Sequence, residues 1–148
     1  MDNSTAVSTL NNLIQTCHDG QNGFKTAAES VKDIHVKGLF ERFSRQRAEM
    51  ARELETEVRK LGGTPSTSGS VSGTLHHGWM NIKSIVTGGD DSAIIAEAER
   101  GEDAAKDAFA TALKEALPAG ARELIEQQAA IVKAAHDEVR ALDKTHAH

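Results

Sequence analysis

The chain has 148 residues, 39% of them apolar, 26% charged and 3% aromatic, with no Tyr and two Pro. That length predicts one domain over residues 1–148, large enough to bury a core without disulfides or a structural metal. The single cysteine, Cys17, excludes a disulfide framework and any Cys-based zinc site, and the 17 Lys and Arg against 22 Asp and Glu give a net charge of -5, the wrong sign for a protein that lives on phosphate contacts. The opening residues carry no basic leader, and no run of about 18 apolar residues occurs. A cytoplasmic protein with neither a nucleic-acid nor a membrane partner is expected.

Along the chain, Leu10, Leu13, Ile14, Cys17, Phe24, Ala28 and Val31 recur at the spacing of an amphipathic helix. Asp33 is placed to cap a second helix, whose stripe runs Val36, Leu39, Phe40, Phe43, Met50, Leu54, Val58 and Leu61 before Gly62-Gly63 stops it. A Gly, Ser and Thr-rich stretch follows and reads as a connection. Val71, Leu75, Trp79, Ile82 and Val86 then restart a short helical stripe. Asp90 or Asp91 caps a third long helix with Ile94, Ala98, Gly101, Ala105, Phe109, Ala112, Leu113 and Ala116 inward. Pro118 ends it and fits the first turn of a fourth helix, carrying Leu124, Ile125, Ile131, Val132, Ala135, Val139 and Leu142.

The expected fold class is therefore all-α: an antiparallel four-helix bundle of helices about 37 Å long. Short connections make the first and last pairs hairpins, while residues 62–90 are far longer than an up-and-down bundle needs. They form one long crossover between the second and third helices, with a short extra helix in it, which is the ferritin-like arrangement. Leu75, Trp79 and Ile82 would pack that crossover along the outside of the bundle.

The segments Cys17-His-Asp-Gly-Gln-Asn-Gly-Phe24, Arg45-Gln-Arg-Ala-Glu49, Gly69-Ser-Val-Ser-Gly-Thr-Leu-His-His-Gly-Trp79, Gly88-Gly-Asp-Asp91 and Glu99-Arg-Gly-Glu-Asp103 resemble a bacterial family of small four-helix-bundle proteins of unknown function, grouped with the ferritin-like proteins. The likeness runs from about Leu10 to Leu142, most specifically over Gly69–Trp79. It implies a ferritin-like bundle and leaves the chemistry to the residues.

A di-metal centre in such a bundle takes one Glu from each of two helices and a Glu-x-x-His pair from each of the others. The nearest segments here are Gln46-Arg-Ala-Glu49 and Gln128-Ala-Ala-Ile131, and neither supplies the pair. On helical wheels the polar residues that fall inward are Gln21, Arg47, Glu102 and Gln128, and Glu49 points to solvent. They predict a buried polar layer in which Arg47 pairs with Glu102 and the two Gln side chains hydrogen-bond to the pair. A guanidinium stays charged and cannot ligate, so this layer predicts no metal, no cofactor and no catalytic residue.

Other candidates are weaker. His76 and His77 are adjacent and point about 100° apart on a helix. His146 and His148 lie on the tail. His18 and His136 flank core stripes, where an internal hydrogen bond is the expected role. Cys17 reads as a small core hydrophobe, and charge pairs such as Glu53 with Glu57 and Arg59, or Glu97 with Arg100, read as solvated helix faces. Two functions remain open: a non-catalytic structural or interaction module with room for a homodimer, or a di-iron or di-manganese oxidoreductase or mini-ferritin-like iron handler. The latter would place ligands such as His18, Glu49, Glu53 or His136 at a subunit interface.

Overall fold

The structure is a computed structural model that describes residues 3–66, 79, 82–88 and 90–146. Leu75, like Val71, His76, His77 and His148, lies outside the described residues. Within them the chain is all-α, with helices α1 (Ser4–Ser30), α2 (Ile34–Lys60), α3 (Ile82–Gly88), α4 (Asp91–Ala112) and α5 (Ala119–His146) and no strand. No described helix is long and apolar enough to cross a membrane.

Local chemistry sets the helix ends. Asp33 accepts hydrogen bonds from the backbone N–H groups of His35 and Val36, filling two of the donors that a helix start leaves open. Gly62 takes a left-handed φ of +84°, and the N–H groups of Gly62 and Gly63 return to the carbonyls of Arg59 and Val58, closing α2. Asp90 accepts from Ala93 N–H at the start of α4. Helix α1 starts earlier than its stripe suggests, because Ala6 is also buried and Val7 packs on the core. Helix α4 stops earlier than expected, at Ala112. Arg122 of α5 donates to the carbonyls of Leu113 and Glu115, satisfying acceptors that another helical turn would have used.

The connection also differs from the expected helical stripe. Trp79 is not helical: its φ of 67° places it in the left-handed region, and α3 begins after it, at Ile82. Both Trp79 and Ile82 are buried.

Helix α1 packs against α2 and α4, and α5 against α4 and α2. Two apolar clusters result. One gathers Leu10, Leu13, Ile14, Met50, Leu54, Phe109 and Ile125. The other gathers Phe24, Phe40, Phe43, Trp79, Ile94, Ile95 and Val139, with Phe24 at its centre, 5.3 Å from the rings of Phe40 and Phe43 and 4.8 Å from Trp79. At the Arg47 and Glu102 level, where the two clusters meet, the core is polar.

Candidate functional site

Arg47 lies on α2 between Phe43 of one cluster and Met50 of the other, with only 1% of its surface exposed. Glu102 on α4 is wholly buried. The two form a forked pair: Nη1 donates to Oε1 at 2.8 Å and Nη2 to Oε2 at 2.6 Å. Burial opposes the Arg47 charge, but Glu102 more than offsets it and holds the guanidinium pKa above its ordinary value. Phe24 lies under the cation, 5.6 Å from Cζ to ring centroid.

Gly20 makes the room. A Cβ there would stand 3.0 Å from Arg47 Nη1 and 3.3 Å from its Cγ, so the absence of a side chain on α1 leaves room for the Arg47 side chain. Gly23 and Gly101 do the same for Trp79, whose indole occupies the space that a Cβ on either would need.

The expected four-residue layer is narrower in the structure. Gln21 is only half-buried, and its backbone carbonyl accepts from Ser44 Oγ at 2.9 Å. The wheel is off by one residue there, since Gly20 takes the inward position. Gln128 is buried but donates to the Met50 carbonyl and to Glu53, at 3.2 and 2.9 Å, rather than to the ion pair. Among the described residues, Arg47 Nε and Gln128 Oε1 are both buried without a hydrogen-bond partner.

Glu97 and Gln15 escape the sequence reading, whereas His136 makes the internal hydrogen bond expected of it. Glu97, expected on a solvated face, is 1% exposed and paired with Arg100 at 2.9 Å. Gln15 is buried and donates to Ser66 Oγ at 2.5 Å. His136 is buried, with Nε2 2.6 Å from Asp103 and Nδ1 3.3 Å from Asp137. His18 lies 3.8 Å from Glu55, Glu49 is exposed, and Glu53 accepts from Gln128. The spacing along α5 that puts His136 beside core residue Ala135 is the available signal, while its shorter bond, to Asp103, comes from α4.

Cys17 lies in the core near the pair, and burial pushes its thiol up to about 12, with Arg47 pulling the other way. A thiol so held stays protonated at neutral pH and packs as a hydrophobe.

Metal-capable groups converge at one place among the described residues, where Glu99, Asp103 and His136 bring ligand atoms within 4.8 Å of one another. The seam already carries internal bonds, His136 to Asp103 and Glu99 to Asp143. The hydrogen bond that a protonated Glu99 donates to Asp143, followed by partial burial, raises the Glu99 pKa above the ordinary value of 4.5. The native state therefore holds a proton there more tightly than the unfolded chain. Stability is lost as pH rises from about 4.5 through the raised native value. Asp143→Asn is expected to flatten that decline and leave the urea midpoint at pH 7 equal or higher; a lower midpoint would show that the two carboxylates support each other.

With this geometry in view, residues 5–115 match the family described as Domain of unknown function (DUF2383). The chain belongs to that family. The match spans α1 to α4 and so includes Arg47, Glu102 and the three glycines around them, but ends before α5. No curated protein matches the chain.

Proposed function

We propose that this member of the family is a single-domain, antiparallel four-helix bundle of ferritin-like arrangement, built from α1, α2, α4 and α5, that works as a non-catalytic structural or interaction module. Two bonds support the opposed run of α1 and α2: Ser44 to the Gln21 carbonyl and Lys37 Nζ to the Ala28 carbonyl, each pairing a later α1 residue with an earlier α2 residue. Residues 62–90 are then the crossover, held at one end by Asn11, which bonds to Thr64 and Ser66, and farther along by Trp79. The free Cys17 and the acidic net charge suit a cytoplasmic setting, and a homodimer is the assembly we propose with it.

The observation that carries the reading is the forked Arg47–Glu102 pair in mid-core. A ferritin-like di-metal centre draws carboxylates from four helices and His from two. Here the central carboxylate is spent on a guanidinium, which cannot ligate and adds a positive charge where metals would need negative ones. The donor set does not fit a di-metal centre. Protein made with iron or manganese in excess and purified without an affinity tag should hold well below one tightly bound metal per chain, by elemental analysis, and should show no ferroxidase activity. Two equivalents of iron that survive chelation would favour the iron-handling alternative.

A further inference from the structure

The seam between α4 and α5 gathers polar side chains that the Arg47–Glu102 pair does not use. Glu99 and Asp103 stand one turn apart on the same face of α4. His136 of α5 meets them, with Nε2 2.6 Å from Asp103 Oδ1. One ligand atom from each of the three lies within 4.8 Å of the other two.

The imidazole separates this group from an ordinary acidic patch. The His136 side chain is 4% exposed, and Ala135 and Val139 near it on α5 belong to the core, so packing fixes where the ring stands. Its other nitrogen is engaged as well: Nδ1 lies 3.3 Å from Asp137 Oδ1, and Asp137 is held in turn by Lys133 at 3.0 Å. A carboxylate on the far nitrogen is what orients a metal-binding histidine, because it holds the Nδ1 proton and leaves the Nε2 lone pair for the ion. Glu99 is tied to Asp143 by a hydrogen bond of its own.

Charge points the same way. Glu99, Asp103, Asp137 and Asp143 bring four carboxyl groups to the seam, against two cations, Lys133 on Asp137 and Arg140 near Glu99. Arg100 is spent on Glu97. With the carboxyls ionised and the imidazole neutral, four against two leaves an excess of two negative charges, which one divalent cation matches.

We propose that Glu99, Asp103 and His136 bind one exchangeable Zn2+ ion, with water completing its coordination. Zinc takes His nitrogen and carboxylate oxygen at about 2.0 to 2.2 Å, so in a tetrahedral set the donors stand about 3.3 to 3.5 Å apart. His136 Nε2 and Asp103 Oδ1 are closer than that and part as the ion enters. Glu99, half-buried on a flexible stem, swings in by at most about 1.5 Å. The imidazole selects zinc over magnesium, which prefers oxygen donors alone, and the lack of a thiolate keeps the affinity moderate. The site goes beyond the role as a non-catalytic module. It releases its ion to chelators, so its failure leaves the iron and manganese test of that role untouched.

Zinc chloride would be titrated by calorimetry into the full, untagged chain after treatment with a chelator. One equivalent is expected with a Kd of about 1 to 10 µM, and zinc should raise the urea midpoint. Asp103→Asn, at an exposed position, and Glu99→Gln both keep a side chain that can hydrogen-bond, so each should fold and weaken zinc by about tenfold or more. Asp107→Asn, one turn further along α4, and His146→Ala, at the end of α5, should leave the titration unchanged. Magnesium in about a hundredfold excess should not displace the zinc. Binding that survives Asp103→Asn and Glu99→Gln, that His146→Ala abolishes or that magnesium displaces would overturn the proposal, as would no saturation by roughly 1 mM.

Discussion

Trp79→Ala is expected to lower stability by about 3 to 5 kcal/mol, and Gly101→Ala to change the sign of its own effect according to whether Trp79 is present. The indole is 8% exposed, rests edge-on against Phe24 and fills the slot left by Gly23 and Gly101. It is rigid, and its backbone already sits in the left-handed region, at a cost of about 1 to 3 kcal/mol that only tight packing sustains. A methyl on Gly101 would be driven into the indole nitrogen and its neighbouring carbons, which cannot swing aside as a flexible chain end would. Gly101→Ala in the wild-type chain should therefore cost about 1 to 3 kcal/mol. In the Trp79→Ala background the obstruction is gone, and the better helix propensity of Ala should raise stability by about 1 kcal/mol. Urea unfolding of the four proteins checks this, along with native emission from Trp79 blue-shifted relative to indole in water. If Gly101→Ala has the same sign in both backgrounds, the glycines do not serve the indole.

The parts of the fold that were legible in the sequence are those set by short-range chemistry. Asp33, Asp90 and Gly62 each act on backbone groups within a few residues, so a capping side chain or a glycine stop can be recognised where it stands. The apolar stripes are legible for the same reason, since burial repeats with the helical turn. Trp79 shows where that signal fails. Its spacing from Leu75 and Ile82 fits a helical face, but the residue is held in place by two glycines far away in sequence, and its backbone is left-handed.

Apart from the Arg47–Glu102 pair, long-range hydrogen-bond partners were not legible in the sequence. Asp91 looks like a helix cap, but both of its carboxylate oxygens accept from the backbone N–H groups of Lys32 and Asp33, pinning the turn between α1 and α2 to the start of α4. Nothing local distinguishes it from Asp90. The same holds for Glu97 and His136, whose burial depends on how α4 and α5 are rotated against their neighbours. At the candidate site the residue types carried the information and the wheel angle limited it. Arg47 falls in step with Phe43 and Met50, whereas an error of one residue on α1 was enough to put Gln21 where Gly20 stands.

The middle of this core is built around one ion pair. Removing one partner leaves an uncompensated charge where water cannot reach it, a loss of about 3 to 5 kcal/mol, whereas replacing both with apolar side chains of similar size is close to neutral or stabilising. Arg47→Met and Glu102→Leu have side chains that fit such a replacement, because the site already lies between two apolar clusters. The direct measurement is the coupling free energy from urea unfolding of the wild type, the two single variants and the double variant. Each single substitution should destabilise strongly, and the double variant should recover most of the loss. If the two penalties simply add, Arg47 and Glu102 are not energetic partners, and a core closed to metal by their pairing is contradicted.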